Sequence, residues 1–131
     1  MSKVARRLLR SGCRFDVVVC SPLVRAVQTA ELVVAGLSHA GRVLVDPRLV
    51  PEGSPRHVVA MLRELAPTRR IALVAHEPIL SSLASLLLGR NLGRGLAKSE
   101  AMRIRLERGL DQRGEWRWSI DPVAGKRTPQ P

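Results

Sequence analysis

The stretch DVVVCSPLVRAVQTAE, residues 16–31, contains the strongest fold signal in this chain. Residues 15–20 form a short apolar run rich in β-branched side chains, which is typical of a strand buried on both faces of a parallel sheet. Residues 22–37 change to helical spacing, with apolar side chains at Leu23, Val27, Ala30 and Val34. The stretch therefore predicts a buried strand that leads directly into an amphipathic helix.

The same alternation of strands and helices continues on both sides of this stretch. Apolar runs at residues 43–45 and 71–75 predict a second and a third strand. Helical spacing at residues 3–11, 56–65 and 77–89 predicts three further helices, the last with a proline near its first turn and a glycine past its end. This order favours an α/β architecture.

The last third of the chain has a different pattern. Residues 100–107 and 115–120 alternate between apolar and polar positions, which predicts two antiparallel strands joined in a hairpin. The whole pattern predicts a three-layer α/β/α sandwich around a mostly parallel sheet, with this hairpin near the C-terminal end. We predict one domain over residues 1–122 and a disordered tail over residues 123–131.

Charge indicates an anionic partner. The 131 residues include 22 Lys and Arg against 11 Asp and Glu, for a net charge of +11. Such a charge suits a phosphorylated protein or a nucleic acid. Basic residues occur in nearly every segment, however, and the aromatic residues are only Phe15, Trp116 and Trp118, so no stacking platform for single strands is visible. Nucleic-acid binding is therefore the weakest hypothesis.

Location and metal content can also be predicted. No apolar stretch approaches the roughly 20 residues of a membrane span, and the basic start leads into no signal peptide. We predict a cytoplasmic protein without a membrane partner. Cys13 and Cys20 match no zinc-ligand spacing, and Cys20, at the end of an apolar run, is expected to be buried.

Ser21, Pro22 and Arg25 suggest a phosphate site. Ser21 and Pro22 predict a helix start, because a serine hydroxyl caps free backbone amides and proline has the fixed φ of a first helical position. Helix N-termini attract anions, and Arg25 could offer a bidentate fork to a phosphoryl group. A capped surface helix with a solvated arginine explains the stretch equally well. Cysteine-phosphatase chemistry at Cys20 is disfavoured, since only four residues, none of them glycine, separate it from Arg25.

A second strand end carries a histidine. IALVAHEP, residues 71–78, repeats the design of a buried strand followed by a polar residue, His76, and a helix start. Ligands of open α/β sheets bind beyond the carboxyl ends of the strands, so we expect Arg25 and His76 at the same sheet edge.

Four segments together resemble the histidine phosphatase superfamily, and most closely its small bacterial phosphohistidine phosphatases of the SixA type. They are DVVVCSPLVRAVQTAE, VDPRLVPEGSP, LVAHEPIL and the pair KSEAMRIRLE and GEWRWSIDP. The resemblance covers residues 3–122, and it implies a phosphoglycerate mutase-like fold that lacks its first central strand.

The resemblance also implies an activity. Members hydrolyse phosphomonoesters through a histidine nucleophile in an Arg-His-Gly motif, without a metal or cofactor, because fixed positive charge stabilises the transition state. His76 matches the second histidine, which stabilises the transferring phosphoryl group, and Arg25 matches an arginine that clamps its oxygens beside Ser21. Glu52 lies where some members carry a general acid, although an exposed loop residue is the alternative. The implied substrate is a phosphorylated protein or a small phosphomonoester.

The nucleophile is missing from this sequence. Its histidines are His39, His57 and His76, and Arg56-His57 is followed by valine rather than glycine. We expect His57 on a helix surface and His39 in a loop. Because the missing strand is central in the family, we also expect the strands at residues 15–20 and 71–75 to lack a pairing partner. A start upstream of Met1 or a truncation is favoured over a decayed copy or a strand supplied by a partner.

Three hypotheses follow. The first is a phosphohistidine phosphatase-type domain that is inactive as the 131-residue chain, and the second is a non-catalytic phosphate- or phosphoprotein-binding module. The third is a basic nucleic-acid-binding protein.

Overall fold

Helices and strands alternate in the computed structural model, which describes residues 14–37, 42–65, 67–92, 95–96, 101–106, 114–120 and 127–129. The elements are β1 Val17–Cys20, α1 Val24–Leu37, β2 Arg42–Val45, a 3₁₀ helix Pro47–Leu49, α2 Pro55–Leu65, β3 Ile71–Val74, α3 Ile79–Leu88, β4 Ala101–Arg105, β5 Glu115–Ile120 and β6 Arg127–Pro129. The helix predicted over residues 3–11 and the loop around His39 lie outside the described residues.

β1 is the centre of a parallel three-stranded sheet with the order β2-β1-β3. Its four side chains are at most 2% exposed, because they alternate between two apolar layers. Val17 and Val19 pack in the core formed with α2 and α3, whereas Val18 and Cys20 pack with α1. The predicted buried strand and the helices on both faces of the sheet are thus confirmed.

The edges of this sheet differ from the expectation. The prediction that residues 15–20 lack a pairing partner is wrong, because β1 pairs in parallel with both β2 and β3. β3 pairs with β1 on one side only within the described ranges. Its side chains are half-buried where those of β1 are fully buried. Of the two strands that were expected to lack a partner, β3 therefore has an open edge and β1 does not.

The C-terminal strands form a sheet of their own, with the order β4-β5-β6 and antiparallel pairing throughout. The predicted hairpin is confirmed, with a register shift between Arg103 and Ile104. Residues 127–129, predicted as part of a disordered tail, instead form β6 and pair with β5. An edge strand offers unpaired backbone groups, which explains how so short a segment can become a strand. The domain boundary at residue 122 remains a prediction.

α3 is the most apolar helix, and its ends follow the sequence signals. Pro78 is its N-cap residue, and Gly89 adopts φ 69°, the left-handed conformation in which glycine ends helices. Within the described ranges, no helix is both long and apolar enough to cross a membrane.

Candidate functional site

Two polar residues meet at the carboxyl edge of the parallel sheet. Ser21 follows β1, and its backbone amide donates to the carbonyl of Val74, the last residue of β3, at 2.9 Å. His76 lies two residues beyond Val74, and its Nε2 atom is 3.0 Å from Ser21 Oγ. The sheet ladder thus extends past the strand ends and brings together two motifs that are 55 residues apart in the chain.

The Ser21 hydroxyl lies in the turn that precedes α1, which begins at Val24 and not at Pro22 as predicted. Its Oγ accepts a hydrogen bond from the Leu23 amide at 3.2 Å, just before α1 begins at Val24. Ser21 is 0% exposed, so the hydroxyl is covered by protein. Both hydroxyl contacts are internal, and the phosphate-binding role of Ser21 stays a prediction.

Arg25 lies in the first turn of α1 and is exposed. It makes no hydrogen bond or ion pair with another residue in the part of the chain that the structure describes. Its guanidinium therefore keeps its donors available to an anion from solution, in the first turn of α1.

His76 is half-buried and is held by its own backbone as well as by Ser21. Its carbonyl accepts a hydrogen bond from the Leu80 amide at 3.0 Å, in the first turn of α3. The neighbouring Glu77 carboxylate accepts from the Ser81 amide at 2.9 Å and from the Ser81 hydroxyl at 2.6 Å. Glu77 thus caps the first turn of α3 and stabilises the helix that follows His76.

Glu52, the candidate general acid, is exposed in a turn after the 3₁₀ helix. The turn is tight: the Gly53 amide donates to the Val50 carbonyl at 2.9 Å, and a Cβ atom on Gly53 would lie 2.5 Å from the Arg48 carbonyl oxygen. The turn backbone is thus well defined, but Glu52 makes no contact that assigns it a catalytic role.

Arg48 organises the loop that carries Glu52, and the sequence interpretation missed it. Its guanidinium contacts the Asp46 carboxylate at 2.8 Å and the Glu64 carboxylate of α2 at 2.7 Å. Asp46 is itself tied to the sheet edge, since its amide donates to the Cys20 carbonyl at 2.9 Å. The hydrogen bonds from Arg48 lower the pKa of both carboxyl groups. The Asp-x-Arg spacing after β2 is the sequence feature that could have indicated the Asp46–Arg48 ion pair.

Two further predictions concern residues outside the site. Cys20 is buried, as expected, and burial raises the pKa of its thiol, which opposes thiolate chemistry. His57 is exposed on α2, as expected for a surface helical residue.

An open groove of about 610 Å³ runs beside the site rather than through it. Its lining consists of Ser81, Ser82, Ser85, Leu86, Asn91 and Gly95. It approaches Glu77 through Ser81, but Ser21, Arg25 and His76 do not line it. Among the described residues, no three His, Cys, Asp or Glu side chains are grouped so that they could hold a metal ion.

Comparison with known proteins agrees with the fold and with the family resemblance. A family model described as the histidine phosphatase superfamily (branch 1) matches residues 1–50. A curated relative, an uncharacterized protein of Picosynechococcus sp. strain PCC 7002, is 35% identical over 108 residues. That match covers 81% of this chain and 65% of the relative, so the chain spans about two thirds of its length.

Solved structures extend the similarity to most of the chain. The structure of the protein histidine phosphatase SixA complexed with tungstate superimposes with a TM-score of 0.85 at 25% identity, and the match covers 95% of this chain and 81% of that one. The putative phosphohistidine phosphatase SixA from Agrobacterium tumefaciens gives a TM-score of 0.78 at 15% identity, over 92% and 77% of the two chains. These likenesses confirm the predicted α/β fold.

Proposed function

We propose, since this chain belongs to the histidine phosphatase superfamily, that it binds the phosphoryl group of a phosphorylated protein or a small phosphomonoester. The binding site in this proposal is the sheet edge with Arg25 and His76. The observation that carries it is the 3.0 Å contact between His76 Nε2 and Ser21 Oγ, because it joins the two motifs on which the resemblance rests.

Each residue has a distinct part in this proposal. The exposed guanidinium of Arg25 pairs with two phosphoryl oxygens, for which its planar fork is well suited. His76 donates a hydrogen bond to a third oxygen and stabilises the charge that develops during transfer. Glu52 remains a candidate general acid.

Phosphohistidine in a protein is the substrate class that we propose for a complete domain of this type. The similar SixA structure is described as that of a protein histidine phosphatase. Hydrolysis by this route breaks the bond between phosphorus and the substrate's histidine nitrogen, which leaves as a neutral imidazole after taking up a proton, and forms a bond between phosphorus and a histidine nitrogen of the enzyme. Water then cleaves that second bond and releases inorganic phosphate. This sequence has no Arg-His-Gly motif to supply the nitrogen, so its 131 residues would bind the phosphoryl group without turning it over.

The missing motif also favours a second candidate function, a non-catalytic phosphate- or phosphoprotein-binding module. The two functions use the same binding residues and differ in turnover alone. Turnover by a longer form of the protein that carries the motif would decide for the phosphatase.

A titration with inorganic phosphate, followed by NMR of the ¹⁵N-labelled chain, tests the proposed site. We expect Arg25→Ala to weaken phosphate binding about tenfold or more, since charged hydrogen bonds are worth about 1.5–3 kcal/mol and 1.4 kcal/mol is tenfold. Arg69→Ala is the matched control, because Arg69 is exposed just before β3, at the opposite sheet edge. Equal weakening by both variants would mean that phosphate senses only the net positive charge, and the proposal would fail.

A further inference from the structure

We infer that Ser21 is a positioning residue, whose hydroxyl holds the neutral ring of His76 in the tautomer with hydrogen on Nδ1. In this arrangement Nδ1–H is the donor that His76 offers to a phosphoryl oxygen. The inference rests on the proposed function for its phosphate part, and on the geometry of Ser21 and His76 for its tautomer part. In this inference Ser21 affects phosphate binding by orienting the His76 ring, and it does not contact phosphate directly.

The surroundings of the Ser21 hydroxyl limit where its hydrogen can lie. Oγ has two polar neighbours within the described chain, the Leu23 amide at 3.2 Å and His76 Nε2 at 3.0 Å. The amide can only donate, so Oγ is an acceptor toward Leu23. The single hydroxyl hydrogen is therefore left for His76.

The opposite arrangement leaves a buried donor without a partner. If Nε2 carried a hydrogen and donated it to Ser21, Oγ would accept twice and the hydroxyl hydrogen would have no acceptor among the described residues. Ser21 is 0% exposed, so bulk solvent does not reach the hydroxyl, and buried unsatisfied donors are costly. Donation from Ser21 to Nε2 satisfies both groups. In a neutral imidazole, an accepting Nε2 places the hydrogen on Nδ1.

The backbone holds both partners in place. The Ser21 amide is bonded to the Val74 carbonyl at 2.9 Å, and the His76 carbonyl is bonded to the Leu80 amide at 3.0 Å. The contact therefore joins the end of β1 to the start of α3 through two anchored residues. With Nε2 engaged by Ser21, Nδ1 is the ring nitrogen that remains for a ligand.

Long-range ¹H–¹⁵N NMR of the histidine rings tests the tautomer directly. His76→Gln assigns the His76 signals among the three histidines. We expect the neutral ring of His76 to show a protonated Nδ1 and an unprotonated Nε2, and Ser21→Ala to convert this pattern into a mixture of tautomers. Ser21→Thr, which keeps the hydroxyl, should retain the original pattern. Ser85→Ala on α3 is the matched control and should leave it unchanged.

Phosphate affinity, measured on the same variants, separates this inference from the proposed function. We expect Ser21→Ala to weaken phosphate binding about tenfold and Ser21→Thr to restore most of it. A wild-type ring with hydrogen on Nε2, or one that is unchanged in Ser21→Ala, overturns the positioning role. A tautomer that responds to Ser21 while phosphate affinity stays constant in both Ser21→Ala and His76→Gln overturns the proposed phosphate site instead. The dispersion of the amide spectrum establishes that each variant is folded.

Discussion

The backbone amide of Gly114 donates to the carbonyl of Leu87 at an N···O distance of 2.6 Å. Gly114 immediately precedes β5, and Leu87 lies in the last turn of α3. The bond therefore fastens the antiparallel sheet to the helix that packs on the parallel sheet. A Cβ atom on Gly114 would lie 2.8 Å from side-chain carbons of both Ile104 and Leu106, and 3.1 Å from the Leu87 carbonyl oxygen.

We predict that Gly114→Ala lowers the free energy of unfolding by about 1–3 kcal/mol, the usual cost of overpacking. The added methyl group must displace two apolar side chains and lengthen the bond to Leu87. Urea denaturation measures the change. Gln28→Ala, at an exposed position of α1, is the control and should stay within about 0.5 kcal/mol of the parent. Equal stability of Gly114→Ala and the control would contradict the attachment of the second sheet at this point.

The Asp46–Arg48 pair predicts a loss of stability in acid. Hydrogen bonds from Arg48 lower the pKa of Asp46 below its ordinary value, which is near 4. A group with a lowered folded-state pKa stabilises the fold above its unfolded-state pKa, and that contribution disappears as the pH falls through the folded-state pKa.

We therefore expect Asp46→Asn to lower the free energy of unfolding by about 1 kcal/mol at pH 7. The expected loss is this small because Arg48 is partly exposed to solvent. The difference in free energy of unfolding between Asp46→Asn and the parent should vanish as the pH is lowered from about 5 to below about 3. Urea denaturation across this range measures it. Glu31→Gln, exposed on α1, is the control. A difference of constant size throughout the range would mean that the charge of Asp46 contributes nothing.

The 131-residue chain is predicted to show no measurable hydrolysis of an aryl phosphate, because its sequence has no Arg-His-Gly motif. A longer form that carries an apolar strand ending in that motif should hydrolyse it, and His76→Ala in that form should abolish turnover. Robust turnover by the 131 residues alone would show that another group is the nucleophile. If Cys20→Ala removed such turnover, cysteine chemistry at the end of β1 would have to be reconsidered.

Local patterns predicted the elements well where neighbouring residues decide the structure. The apolar run before Ser21 and the helical spacing after it gave β1 and α1 to within two residues, and Gly89 ends α3 as expected. The order of the strands in the sheet could not be predicted in this way, because strand pairing depends on segments far apart in the chain. The sequence showed that β1 is buried, but not that β2 and β3 both pair with it.

The site was predictable as a set of residues and not as an arrangement. Ser21, Arg25 and His76 were found from helix starts and strand ends, which are local features. The contact between Ser21 and His76 spans 55 residues, so no spacing in the sequence could show that the hydroxyl is covered and directed at the ring. The same reason applies to half of the Arg48 contacts: the Asp46–Arg48 spacing is local and could have been noticed, but the second carboxylate partner, Glu64, is 16 residues away on α2.

The open edge of β3 predicts a pattern of amide hydrogen exchange. The Arg70 carbonyl accepts from the Val17 amide of β1, and the Val74 carbonyl accepts from the Ser21 amide just after β1. Successive peptide groups of a strand point to opposite sides, so the amides of Ile71 and Leu73 face away from β1. Within the described ranges no strand receives them, whereas β1 is paired on both sides. Edge amides lack the protection of a ladder.

We expect the amides of Ile71 and Leu73 to exchange at least about tenfold faster than those of Ala72 and Val74, which face β1. NMR-detected exchange measures this, with the amides of β1 as the protected reference. A longer form of the protein that places a strand on this edge should slow Ile71 and Leu73 and leave Ala72 and Val74 nearly unchanged. Equal protection of all four amides in the 131-residue chain would mean that a further segment, or a second copy, already pairs with β3.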